Sequence, residues 1–185
     1  MTGWDREYLV NKSEYLELFD RVMQKEQETN VEFLEKNIAE ITNRKYAVSC
    51  NSGTDALVYS LMSMGIKPGD EVITSNFSWI STASCISMVG ATPVFCDIDL
   101  DSYHLSYNSV KRMISNKTKA IVYPHLFGNM SDLKRIKDLG IPLVEDACQS
   151  LGSSYNGVVA GSIGDISTLS FNANKVVAGI SGGGA

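Results

Sequence analysis

From Tyr46 onward the chain alternates short apolar runs with helical patterns, and this alternation restricts its fold more than any other feature. The runs cover residues 46–50, 71–75, 93–97, 120–124, 142–146 and 166–171. Helical patterns fall between them near 54–65, 79–90, 106–115 and 131–139. Strands alternating with helices predict βαβ units, a parallel sheet and right-handed crossovers. Val72-Ile73 and Ala120-Ile121-Val122 are apolar on successive positions. That texture is expected where helices cover both faces of a sheet. The predicted class is therefore α/β, a mostly parallel sheet with helices on both faces. Residues 1–43 differ, being polar and rich in Glu, Lys and Gln. There Leu34, Ile38 and Ile41 share one helical face. The expected division is an N-terminal helical segment, 1–43, followed by an α/β domain, 44–185.

Charge and composition narrow the function. A net charge of −5 over 185 residues gives no support to a nucleic-acid partner. Lys134, Arg135 and Lys137 read as one solvated helix face. Cys50, Cys85, Cys96 and Cys148 form no C-x-x-C pair, and with two histidines in the chain a zinc site is not expected. Free buried thiols in a reducing compartment are the simplest reading. Met1-Thr2-Gly3-Trp4-Asp5-Arg6 lacks a signal-peptide pattern, and no apolar run approaches the roughly 20 residues of a membrane span. A cytoplasmic protein without a membrane partner is expected.

Ligands of such sheets bind outside the carboxyl ends of the strands. That rule gathers scattered residues into one crevice. Asn51-Ser52-Gly53-Thr54 links the first run to a helix, and a helix start with Gly53 and Thr54 suits a phosphate group. An ordinary helix cap by Ser52 or Thr54 is the competing reading. Phe77, Ser78 and Trp79 follow the second run, and Trp79 offers a flat face for stacking or a core contact. His125 follows the fourth run. Asp146 ends the fifth, where a lone carboxylate calls for a cationic partner or a structural hydrogen bond. Gln149 lies three residues on. Ser170 and Lys175 follow the sixth run. A lysine is usually a solvated surface charge, but Lys175 sits beyond a small-polar loop at a strand end. An amine there could form a Schiff base with an aldehyde cofactor and move protons. Lysine, carboxylate and phosphate cradle together are what a pyridoxal phosphate enzyme requires.

These residues resemble the DegT/DnrJ/EryC1/StrS family of pyridoxal-phosphate sugar aminotransferases, of fold type I. The resemblance runs from about Phe33 to Ala185. It is carried by Asn51-Ser52-Gly53-Thr54-Asp55-Ala56-Leu57, by 90–97, by Val144-Glu145-Asp146-Ala147-Cys148-Gln149-Ser150, and by Ser170-Phe171-Asn172-Ala173-Asn174-Lys175. It implies that Lys175 is the internal aldimine lysine and proton shuttle, that Asp146 pairs with the pyridine nitrogen, and that Trp79 stacks on the ring. Gln149 would lie near the ring's phenolic oxygen, and Gly53, Thr54 and Ser170 would hold the phosphate. The implied reaction is amino transfer, with glutamate as donor, to a keto group on a nucleotide-linked sugar. The implied assembly is a homodimer.

Three departures accompany the resemblance. Residues 1–30 lack the Gly-containing opening segment usual in the family. The stretch after Lys175 lacks the acidic residue before the glycines. The chain also stops where the family continues for roughly as many residues again. The family's one antiparallel strand is therefore expected to be missing along with the small domain, leaving a gap in the sheet. On that ground the chain is expected to be a fragment, poorly stable and inactive alone. The competing functions are an inert binding or scaffold protein that keeps the fold, and another fold-type I enzyme.

Overall fold

The computed structural model describes residues 11–17, 19–21, 24, 27–179 and 182–185. Residues 11–17 and 19–21 are helical. Within the expected helical segment 1–43, α1 spans Gln27–Ile41, while residues 1–10, 18, 22, 23, 25 and 26 lie outside the described residues. The α/β portion then runs β1 (Ser49–Cys50), α2 (Gly53–Ser63), β2 (Glu71–Ser75), α3 (Ile80–Met88), β3 (Thr92–Cys96), α4 (Tyr107–Met113), β4 (Thr118–Pro124), α5 (Lys134–Lys137) and β5 (Leu143–Asp146). It closes with β6 (Ser154–Tyr155), β7 (Val158–Val159), β8 (Ile166–Ser170) and β9 (Gly183–Gly184).

The main sheet has the order β1-β9-β8-β5-β4-β2-β3. From β8 to β3 every neighbouring pair is parallel. The apolar runs explain this centre. Period-two alternation sends Val72, Val122 and Val144 to one face with Leu57, Leu61 and Ile86 of α2 and α3. It sends Ile73, Ile121, Tyr123 and Leu143 to the other, with Val110, Leu133 and Ile136. Each fully buried Val, Leu or Ile contributes about 1.5–3 kcal/mol relative to an exposed one. Two covered faces thus hold the strand ends in place. No helix among the described residues is long and apolar enough to cross a membrane.

Two elements were not expected. The hairpin β6–β7 turns at Asn156 and Gly157, both at positive φ (50° and 79°). Asn-Gly favours that turn because both central residues must be left-handed. The second element corrects the expectation of a missing antiparallel strand. β9 pairs antiparallel with both β1 and β8, so the place expected to be a gap is filled. Reciprocal bonds between Val48 and Ala185 extend the pairing by one residue. The glycines make this possible. A Cβ at Gly183 would collide with the backbone of Ser52 and Gly53, and one at Gly184 would lie 3.2 Å from the Val48 carbonyl.

β1 is shorter than the run that predicted it. Tyr46 and Val48 are exposed, and among the described residues β1 pairs on one side alone, with β9. The four cysteines are free, as expected, but only Cys85 and Cys96 are buried while Cys50 and Cys148 are half-buried.

Candidate active site

The carboxyl ends of β5 and β8 and the start of α2 surround one cavity of about 150 Å³. Gly53, Thr54, Trp79, Asp146, Gln149, Ser170 and Lys175 all line it. Sequence reasoning did not single out Ser81, Asn172, Asn174 or Cys148, which share the wall.

At the α2 end, Ser52 caps the helix. Its Oγ accepts from the Asp55 N–H at 3.0 Å, and its carbonyl accepts from Ala56. The competing cap reading is therefore correct for Ser52. It does not compete with anion binding, because Gly53 and Thr54 open the helix and their N–H groups stand at its positive dipole end. Thr54 Oγ1 and Ser81 Oγ share a hydrogen bond of 2.8 Å. Gly53 is needed for packing: a Cβ there would stand 2.9 Å from both Cys148 Sγ and Ser170 Cβ. The absent side chain draws the helix start against the end of β8, where Ser170 Oγ lies.

Asp146 is the last residue of β5 and is 7% exposed. Its Oδ2 accepts from Thr82 Oγ1 at 2.8 Å, and its Oδ1 accepts from the Cys148 N–H at 3.3 Å. A carboxylate can accept about four hydrogen bonds, so acceptor capacity remains toward the cavity. A cation fits there. Gln149 Oε1 accepts from the Phe127 N–H at 3.0 Å. This pins the loop after β4, where Phe127 takes a positive φ of 60°. Trp79 immediately precedes α3 and is 62% exposed, leaving its ring free to meet a ligand.

Lys175 lies in a loop that leaves β8 and returns as β9. The loop is closed by Phe171 N–H to the Gly182 carbonyl and Gly179 N–H to the Phe171 carbonyl. Lys175 is half-buried, and its own N–H donates to the Asn172 carbonyl. The nearby thiols are poor rivals as nucleophiles. Burial, then the Asp146 charge, pushes Cys85 up to about 12 and Cys148 well above its ordinary value.

His125 and Phe77 do not join the site. Phe77 stacks on Tyr103 at 5.7 Å between ring centroids. His125 is buried and its Nε2 meets Glu145 Oε1 at 2.8 Å. Glu145 is fully buried and accepts from the N–H groups of Gly161, Ile163 and Gly164 as well. The Arg44 guanidinium lies 4.0 Å away. Burial raises the Glu145 carboxyl, but the His125 hydrogen bond and the Gly164 and Gly161 N–H groups outweigh it and hold it at about 2.

The donor set suits a phosphorylated pyridine aldehyde. Helix-start N–H groups and hydroxyls would suit an anion, the open carboxylate of Asp146 would suit a ring cation, and the Lys175 amine lines the same cavity.

Comparison with known proteins agrees. Residues 11–185 match the DegT/DnrJ/EryC1/StrS aminotransferase family. The chain is 36% identical over 191 residues to a pleiotropic regulatory protein of Geobacillus stearothermophilus, covering 100% of this chain and 51% of that one. It is 35% identical over 187 residues to GDP-perosamine synthase of Escherichia coli O157:H7, covering 99% and 50%. Among solved structures, S. venezuelae DesV in complex with a ketimine intermediate superposes with a TM-score of 0.91 at 30% identity, covering 97% of this chain and 50% of that one. The chain thus spans about half the length of the curated relatives it matches.

Proposed function

The chain belongs to the DegT/DnrJ/EryC1/StrS aminotransferase family, and from that premise we propose that it forms the cofactor-binding part of a sugar aminotransferase. Aminotransferases of this family depend on pyridoxal phosphate. The proposed reaction moves an amino group from an amino acid, glutamate, to a keto group on a nucleotide-linked sugar. The complete enzyme is proposed to be a homodimer, with residues 44–185 as the cofactor domain and 1–43 as a helical segment beside it.

One observation carries the reading: Lys175, Asp146, Ser170 and the start of α2 meet on a single cavity. Bound there, pyridoxal phosphate would supply an aldehyde to carry the amino group and a ring to accept electrons from the substrate carbon. The chain's own residues do the rest. Gly53, Thr54 and Ser170 would hold the phosphate with N–H and O–H donors. Asp146 would present its open carboxylate edge to the ring nitrogen and keep a proton there. Trp79 would cover the ring face. Gln149, fixed through Phe127, would meet the ring's phenolic side. The Lys175 amine would hold the aldehyde and serve as the group that takes up and returns the substrate proton.

The test is spectroscopic. Adding pyridoxal phosphate should produce a visible absorbance band that Lys175→Ala abolishes. Glutamate should then bleach that band, and a keto-sugar nucleotide should restore it. A band that survives Lys175→Ala, or no response to any amino acid, would overturn the assignment.

A further inference from the structure

Thr82 stands behind Asp146. It lies in the first turn of α3, is fully buried, and is not among the residues lining the cavity. Its Oγ1 lies 2.8 Å from Asp146 Oδ2 and 2.9 Å from Ser78 Oγ. Proton counting gives these two bonds a direction. An ionised carboxylate only accepts, so Thr82 must give its single proton to Asp146. The Thr82 oxygen is then left to accept, and Ser78 must donate to it. The chain of hydroxyls thus runs one way, from half-buried Ser78 through Thr82 to Oδ2. The Thr82 N–H meanwhile donates to the Trp79 carbonyl at 3.0 Å. A single residue therefore anchors both the carboxylate and the start of the segment that carries the aromatic face.

We propose that Thr82 is a positioning residue: by donating to Oδ2 it fixes the rotation of the Asp146 carboxylate so that its free edge faces the ring nitrogen of the cofactor. The inference rests on the cofactor reading above. The other partners of Asp146 both lie at Cys148, the N–H at 3.3 Å and the thiol, so without Thr82 the carboxylate loses its 2.8 Å restraint on rotation about χ2. A group whose task is to meet one ring atom then loses its aim while the cavity wall stays intact.

Two probes separate this role from plain structural support. Pyridoxal phosphate and its 1-deaza analogue, in which carbon replaces the ring nitrogen, are titrated into the cofactor-free protein. Thr82→Val keeps the shape and removes the hydroxyl. A hydrogen bond to a charged group corresponds to roughly tenfold or more in affinity. Thr82→Val should therefore weaken pyridoxal phosphate binding about tenfold and leave the deaza analogue within about twofold, with Thr82→Ser restoring the selectivity. Ser78→Ala, at a half-buried position, supplies a second variant should Thr82→Val fold poorly, and should reduce the same selectivity by about threefold. Equal losses for both compounds would leave Thr82 a packing residue and overturn the proposal. An unchanged ratio in every variant would overturn it too. Failure of the unsubstituted protein to bind either compound would instead overturn the cofactor reading, and this inference with it.

Discussion

Glu145 and Asp146 are neighbours at the end of one strand, yet they belong to different parts of the molecule. The pleat sends them to opposite faces of β5. Glu145 meets His125, three backbone N–H groups and, at longer range, Arg44. Its acceptor capacity is spent. Asp146 meets the Thr82 hydroxyl, a distant N–H and the thiol of Cys148, and its remaining capacity faces a cavity. A buried carboxylate with every lone pair matched is a structural tie. One left partly open beside a cavity is a binding group. Burial alone does not distinguish them; the account of their hydrogen bonds does.

The sharpest way to break this comparison is to truncate each residue in turn. Glu145→Ala leaves buried His125 Nε2 and three backbone N–H groups without their acceptor, and should destabilise the fold by about 3–5 kcal/mol in denaturant unfolding. Asp146→Ala should cost about 1–2 kcal/mol and abolish the ring-nitrogen selectivity. Reversed magnitudes would refute the division into tie and binding group.

Acid gives the next largest effect. The folded Glu145 carboxyl, at about 2, lies below its ordinary value of 4.5. Its contribution, about 3 kcal/mol by linkage, is complete above pH 4.5 and disappears as the pH falls toward 2. Glu145→Gln should flatten that limb of the stability curve. His104 acts at higher pH, because burial holds it below its ordinary 6.5. The unfolded chain takes up that proton first, so stability should already decline below pH 6.5 in Glu145→Gln as in the unsubstituted protein.

Smaller effects sharpen the cavity side. Gly53→Ala meets Cys148 Sγ and Ser170 Cβ at 2.9 Å, and should cost about 1–3 kcal/mol in thermal unfolding while weakening cofactor binding. Trp79→Ala, at an exposed position, should change stability by about 0.5 kcal/mol or less yet weaken cofactor binding measurably. A large stability loss there would place Trp79 in the core instead.

The parallel centre of the sheet was legible because each buried strand needs apolar residues on both faces. Val72-Ile73 and Ala120-Ile121-Val122 announce that directly. Tyr46 and Val48 misled in length, since apolar side chains can stay exposed where a strand has one partner. β9 carried no apolar signal: a glycine pair is selected there by backbone clearance, which periodicity cannot register. The hairpin's turn is written in Asn156-Gly157, but its strands are two residues each, too short to show alternation. Of the site, the strand-end residues Asp146, Gln149, Ser170 and Lys175 could be found from the carboxyl-end rule. Thr82 and Ser81 could not, because their partners are distant in the chain.

The sequence by itself determined the α/β class, the order of the parallel strands and the helices between them, and the family, because these follow from local apolar patterns and short motifs. It also marked Lys175 as a lysine unlike the others. Tertiary structure decided which carboxylate of the Glu145-Asp146 pair faces the cavity, and that two glycine residues thread between β1 and β8. It also placed Thr82 behind Asp146. Each of these depends on which atoms approach across the fold, and the distances that separate a spent carboxylate from an open one exist only once the strands have paired.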